Sequence, residues 1–160
     1  MAATVLVVGI GNALRRDDGV GVHVIDALRQ RGCGDDRGDI ALQDGGTLGL
    51  ALLPQIKQSE TLILVDAAQI GAAPGTVRSY EGSAMDALLA VRHATAHDVA
   101  VADLMGLVAL SGGGPTRRAL VAVQPADTGW GLELSQPVTD AIAPACAAVL
   151  SVIDRWTQDG

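Results

Sequence analysis

Acidic side chains follow two apolar segments of this chain, and carboxylates in such positions can bind a divalent cation or act as a general base. Asp17 and Asp18 lie in a glycine-bounded loop behind the apolar run at 4–8, and Asp66 directly follows the apolar run at 61–65. An unpaired buried carboxylate is costly, so an acid that ends a buried strand usually serves a hydrogen bond, a cation or catalysis. The alternatives are an ordinary solvated turn for the acidic pair and a helix cap or turn for Asp66.

His97 is the histidine that could complete a site with these acids, because it lies at the predicted start of a helix. Two carboxylates and one imidazole would make a three-ligand site for nickel, zinc, iron or manganese, with positions left open for water or substrate. His93, four residues earlier, could compete as a ligand, although Ala94 excludes the H-E-x-x-H motif of zinc proteases. The alternative is a packed or solvent-facing histidine, which is the commoner case.

A glycine-containing segment, Asp44-Gly-Gly-Thr47, follows the second predicted strand. Its backbone amides would lie at the same edge of the sheet as the acids. They could hold an extended peptide or an anionic group through main-chain hydrogen bonds. The alternative is a simple tight turn.

Alternating strands and helices must position these residues. Such alternation predicts a three-layer α/β sandwich with a mostly parallel sheet and helices on both faces. Because the carboxyl ends of parallel strands meet at one edge, residues distant in sequence can converge there. One strand, 76–80, alternates in the manner of an antiparallel edge strand. The predicted strands are 4–8, 40–43, 61–65, 76–80 and 118–123, and the predicted helices are 19–31, 50–56, 97–110 and 137–157.

Length, charge and cysteine content limit the class of protein. A chain of 160 residues fits one domain over 1–160. Its net charge of −7 argues against a nucleic acid or an anionic membrane as partner. Cys33 and Cys146 are isolated, which favours two reduced thiols over a zinc or iron–sulfur site. No signal-peptide pattern and no apolar run of about 20 residues is visible, so we expect a cytoplasmic protein without membrane insertion.

The order of the motifs resembles that of the hydrogenase maturation proteases, the endopeptidases that remove the C-terminal extension of the nickel-iron hydrogenase large subunit. Each motif alone is weak, but several in one order at compatible spacing are specific. The motifs are Gly9-x-Gly11-Asn12, Asp17-Asp18-Gly19-x-Gly21, Asp44-Gly-Gly-Thr-x-Gly49, Val65-Asp66-Ala67, Pro74-Gly-Thr76 and Thr95-x-His97.

The resemblance implies roles for particular residues. Asp18 and Asp66 would be catalytic and would bind the metal together with His97. Family members often have Glu at the first of these positions, so Asp18 reaches one methylene less far. Substrate positioning is expected from Asn12, Gly45, Gly46 and Thr47.

The resemblance also implies a function, an aspartic-type or metal-assisted endopeptidase that recognises nickel carried by its substrate, the hydrogenase large-subunit precursor. Other divalent ions could occupy the site in the isolated protein. Two ways of breaking the bond stay open. The metal polarises the carbonyl or activates water, or it serves recognition alone while Asp17 or Asp18 acts as the base. The particular hydrogenase and the cleaved bond are also left open.

Two other classes of protein share parts of this pattern. A Rossmann-like nucleotide-binding domain would explain Gly9-x-Gly11, but Leu14 stands where the third glycine is needed and would obstruct the approach of helix and strand. A receiver-like signalling domain would explain the early acidic pair and Asp66. Its required lysine would have to be Gln124, which carries no charge.

Overall fold

The computed structural model describes residues 5–34, 39–46, 49–91 and 96–159, with the backbone alone at 49–50, 91, 96–102 and 159. The strands are β1 (Val5–Ile10), β2 (Ile40–Gly46), β3 (Thr61–Ala67), β4 (Val77–Glu81) and β5 (Arg117–Val123). The helices are α1 (Val20–Gln30), α2 (Leu53–Gln58), α3 (Ser83–Val91), α4 (Ala96–Leu110) and α5 (Gln136–Asp159), with short 3₁₀ turns at Arg16–Gly19 and Gly49–Leu52.

The five strands form one sheet in the order β2-β1-β3-β5-β4. The β1–β2, β1–β3 and β3–β5 pairs are parallel, and β4 runs antiparallel to β5. Both the mostly parallel sheet and the antiparallel edge strand predicted from the sequence are therefore confirmed.

Helices cover both faces of this sheet, which explains why β1 is apolar at every position. Val5 and Val7 of β1 face one apolar cluster, together with residues of α1 and α5. Leu6 and Val8 face a second cluster, with residues of α2, α3 and α4. The three-layer arrangement predicted from the alternation of elements is confirmed.

By length and composition α5 is apolar enough to cross a membrane. In this fold its apolar stripe packs into the first cluster, against β5 and α1. The stripe contains Val138, Ala141, Ala145, Val149, Val152, Ile153 and Trp156. α5 is thus a core helix of the α/β sandwich.

Helix α3 was missed by the sequence prediction. Its segment is rich in alanine and leucine, and Met85 and Leu89 are buried four residues apart on one face. That spacing is a helical signal, although a weak one because small alanine side chains surround it. The predicted helix at 50–56 is a 3₁₀ turn followed by α2.

Candidate active site

The loop that carries the acidic pair packs tightly on the ends of β1 and β3. Gly11 has a positive φ of 132°, and a Cβ there would collide with the carbonyl oxygen of Asp18. At Gly21, in the first turn of α1, a Cβ would overlap the carbonyl oxygens of Ile10 and Val65. Two glycines therefore allow the turn Arg16–Gly19 to lie against the carboxyl edge of the sheet.

Asp18 is half-buried at this edge. Its Oδ2 accepts a hydrogen bond from the backbone N–H of Asn12 at 2.9 Å, and its own N–H donates to the carbonyl of Arg15 at 3.0 Å. Among the described residues, none donates a hydrogen bond to Oδ1 of Asp18. The loop thus holds one oxygen of Asp18 and leaves the other without a donor from the described part of the chain.

Asp66 is the penultimate residue of β3 and only 3% exposed. Its register partner in β5 is Ala122. The 3₁₀ turn that contains Asp18 lies against β3, so both acids belong to neighbouring elements at one sheet edge. The expected convergence of these two chain segments is observed.

His97 lies in the first turn of α4. This helix covers one face of the sheet, and the even-numbered residues of β3, the series that includes Asp66, point toward that face. The side chain of His97, together with His93 and Thr47, lies outside the described residues. Among the side chains that are described, no three His, Cys, Asp or Glu residues are grouped to hold a metal ion. The three-ligand site of Asp18, Asp66 and His97 therefore stays a prediction.

Asp17 is buried and serves as an anchor. Its Oδ2 accepts hydrogen bonds from the N–H groups of Ala126 and Asp127, both at 2.9 Å, and from the hydroxyl of Ser135 at 2.8 Å. Its Oδ1 accepts the N–H of Ser135 at 2.7 Å. Burial alone would raise the pKa of Asp17, but these donors outweigh it and the pKa lies below the ordinary value.

Asp17 is therefore not part of a solvated turn, and that alternative is wrong for this residue. Its carboxylate holds the segment before α5 against the 3₁₀ turn. With its carboxylate enclosed by donors, Asp17 is also a poor candidate for the base. The sequence carries no signal for this contact, because Asp17 and Ser135 are 118 positions apart.

The residues predicted to position substrate shape this same edge. The side-chain Oδ1 of Asn12 accepts the N–H of Leu14 at 2.9 Å, which closes a turn in the acidic loop. Gly46 lies at the end of β2. Its carbonyl oxygen accepts a hydrogen bond from the N–H of Gly11 at 2.9 Å, and its own N–H donates to Oδ1 of Asp44 at 3.0 Å. Gly45 is buried. A role for Asn12, Gly45 and Gly46 in holding substrate stays a prediction.

Gln124 is a structural residue that the sequence prediction did not assign to the site. It is buried just after β5, and its Oε1 accepts the N–H of Ile70 at 2.8 Å. Its Nε2 donates to Oε1 of Gln69 at 2.8 Å and to the carbonyl of Pro125 at 3.2 Å. Gln124 thereby fixes the loop that follows Asp66. A neutral amide engaged in this way cannot supply the cation of a receiver domain.

The argument based on Leu14 against a Rossmann domain needs correction. Leu14 is 56% exposed and does not lie between helix and strand. The close approach of α1 to the sheet occurs instead at Gly9 and Gly21, where Cβ atoms would overlap neighbouring atoms.

In sequence and in fold, the chain is similar to hydrogenase maturation proteases. The family model of the hydrogenase maturation proteases matches residues 22–152. The hydrogenase expression/formation protein HupM of Azotobacter chroococcum mcd 1 is 33% identical over 150 residues, which are 93% of this chain and 71% of that protein. The hydrogenase 2 maturation protease of Escherichia coli K12 is 32% identical over 150 residues, 93% of this chain and 90% of that protein.

A solved structure agrees with these sequence relatives. The hydrogenase maturating endopeptidase HybD from E. coli matches with a TM-score of 0.85 and 29% identity, covering 95% of this chain and 93% of that one. The chain therefore belongs to the hydrogenase maturation protease family, a family of peptidases. This membership confirms the resemblance and displaces the nucleotide-binding and receiver alternatives.

Proposed function

We propose that this protein is a cytoplasmic endopeptidase that removes the C-terminal extension from the nickel-loaded precursor of a nickel-iron hydrogenase large subunit. Family membership supports the reaction class. The observation that carries the assignment of the site is the placement of Asp18 and Asp66 on adjoining elements at the carboxyl edge of the sheet.

Asp18, Asp66 and His97 are the proposed ligands for the nickel that the precursor brings. Two carboxylate oxygens and one imidazole nitrogen suit a borderline divalent ion and leave coordination positions for groups of the substrate. Such an incomplete ligand set binds well only when the partner supplies both the metal and the remaining donors. The site would thereby select loaded precursor over empty precursor. In the isolated protein, other divalent ions could occupy it.

Asp18 is also the better placed of the two adjacent acids to act on water. A water molecule would lose a proton to a carboxylate oxygen of Asp18 that the nickel does not engage, while the oxygen of that water bonds to the scissile carbonyl carbon. The C–N bond then breaks and the proton passes to the leaving amine. Nickel held by the substrate would supply Lewis acidity at the carbonyl. Asp17 is the poorer candidate for this role, because its carboxylate accepts four hydrogen bonds.

Purified chain incubated with nickel-loaded precursor tests the proposal by the size shift of the large subunit on a gel. Asp18→Asn, Asp66→Asn and His97→Ala are each expected to abolish processing while leaving the thermal midpoint within a few degrees of wild type. Asp154→Asn, an exposed acid of α5, is the matched control and should process normally.

Comparing nickel-loaded with nickel-free precursor then separates recognition of the metal from general proteolysis. We expect cleavage of the loaded form alone. Normal processing by all three site variants would overturn the site assignment. A wild-type chain that leaves loaded precursor intact would overturn the proposed function itself.

A further inference from the structure

Three large apolar side chains are exposed beside the acidic loop. Trp130 is 75% exposed, Leu132 is 71% exposed and Leu14 is 56% exposed. We call these three residues the Trp130 platform. Leu14 comes from the acidic loop, and the other two come from a segment more than a hundred positions later in the sequence. Large apolar groups clustered on a surface commonly mark a binding site.

The backbone under the Trp130 platform is firmly held. The N–H of Gly131 donates to the carbonyl of Leu14 at 2.9 Å, and the N–H of Arg16 donates to the carbonyl of Gly131 at 3.0 Å. The guanidinium of Arg15 lies 5.2 Å from the centre of the Trp130 ring. Because Asp17 anchors the same two segments, the backbone of the platform is preorganised and loses little entropy when a partner covers it.

Aromatic residues are scarce in this protein, which makes the exposure of Trp130 informative. The chain contains two Trp, one Tyr and no Phe. Trp156 is in the core, only 9% exposed. One of the few aromatic rings is thus presented to solvent, and exposed Trp and Arg side chains are the types that dominate binding energy at protein interfaces.

The platform is continuous with the candidate active site. The N–H of Asp18 donates to the carbonyl of Arg15, the residue next to Leu14, and the carboxylate of Asp18 accepts the N–H of Asn12. Leu14 is thus part of the same short loop as Asp18, and the hydrogen bond from Gly131 to Leu14 places Trp130 beside that loop. The net charge of −7 makes a nucleic acid or an anionic lipid surface a poor occupant.

We propose that the Trp130 platform binds apolar side chains of the precursor segment that flanks the scissile bond. This inference rests on the proposed function and deepens it, since it assigns substrate recognition to residues outside the metal site. It implies that the precursor carries apolar residues within a few positions of the bond, where an extended segment contacts Trp130 and Leu132.

Steady-state processing of nickel-loaded precursor tests the platform. Trp130→Ala and Leu132→Ala are expected to lower kcat/KM by about tenfold or more, mainly through KM, because they remove binding contacts and leave the acids in place. Trp130→Phe should retain most of the activity. Leu110→Ala is the matched control, because Leu110 is 86% exposed at the far end of α4, and it should match wild type.

A binding measurement separates this inference from the proposed function. Chain labelled with 5-fluorotryptophan gives one ¹⁹F signal for Trp130 and one for Trp156, assigned with Trp130→Phe. Addition of unlabelled precursor should shift or broaden the Trp130 signal. If wild type cleaves precursor while the platform variants match Leu110→Ala and the signal stays unchanged, the platform is overturned and the function stands.

The other outcomes are equally decisive. A response of Trp130 to precursor without any cleavage would overturn the proposed function and support the platform. A Trp130 signal that changes with protein concentration alone, together with loss of self-association in Trp130→Ala, would assign the surface to a second copy of the chain. That result would overturn the platform as a substrate site.

Discussion

Ser135 contacts Asp17 through both its backbone N–H and its hydroxyl, at 2.7 and 2.8 Å. This pair joins the 3₁₀ turn after β1 to the segment that leads into α5. The neighbouring acid, Asp18, is positioned by the same turn, and its Oδ1 accepts no hydrogen bond from the residues that the structure describes. Adjacent residues of the same type therefore have different tasks, one structural and one proposed to be catalytic.

The first prediction concerns stability. Asp17→Asn is expected to lower the free energy of unfolding by about 3 kcal/mol, because the amide nitrogen would face a donor and a buried network would be left partly unsatisfied. Urea denaturation measures the change. Asp154→Asn, on the surface of α5, should stay within about 0.5 kcal/mol of wild type. Equal stability of the two variants would show that the Asp17 contacts contribute little.

The second prediction concerns pH. The pKa of Asp17 is lowered in the folded state, so its carboxylate stabilises the fold fully above the unfolded pKa of about 4. This stabilisation is lost as the pH falls through the lower folded pKa. The stability difference between wild type and Asp17→Asn should therefore be constant near neutrality and shrink in acid below about pH 4. The check is urea denaturation across pH, and a difference that stays constant into strong acid would contradict it.

The sheet and the place of Asp66 could be predicted from the sequence because their signals are local. An uninterrupted apolar run that ends in an acid predicts a buried strand and a polar group at its carboxyl end, and β3 has this form. The alternation at 76–80 likewise predicted β4 as an edge strand. Each of these conclusions depends on neighbours in the chain.

The role of Asp17 could not be predicted for the opposite reason. Nothing near residue 17 shows that its side chain turns inward to the segment 126–135 while that of Asp18 stays half-exposed. The same holds for Gln124, whose partners Gln69 and Ile70 follow another strand. Contacts between loops depend on how the strands are ordered in the sheet, and the sequence pattern does not state that order.

The third prediction tests Gln124 as a positioning residue. Gln124→Ala leaves the N–H of Ile70 without its acceptor and is expected to reduce stability by about 1–3 kcal/mol. Because the loop after Asp66 is loosened, processing of precursor should also slow in kcat. Gln124→Glu can still accept from Ile70, but it places a buried carboxylate oxygen against the acceptor oxygens of Gln69 and Pro125, so it should be destabilised at least as much as Gln124→Ala. The exposed Gln136→Ala in α5 serves as the control. Unchanged processing in Gln124→Ala would exclude a positioning role.

The fourth prediction compares two helical glycines. An alanine in place of glycine ordinarily stabilises a helix by up to about 1 kcal/mol. Gly106 in α4 should follow that rule, because no described atom outside its own stretch of helix lies within 4 Å of the position its Cβ would take. At Gly21 in α1 the added methyl would meet the carbonyl oxygen of Ile10 at 2.6 Å and would overlap that of Val65.

Gly21→Ala is therefore expected to destabilise the fold by about 1–3 kcal/mol, the usual range for overpacking, while Gly106→Ala is neutral or stabilising. The strain would push α1 away from the ends of β1 and β3 and move Asp18 with it, so kcat for precursor should fall further than the loss of folded protein explains. Urea denaturation and processing rates at a temperature where both variants are folded measure the two effects. Equal behaviour of Gly21→Ala and Gly106→Ala would mean that the close packing of α1 does not position the acidic loop.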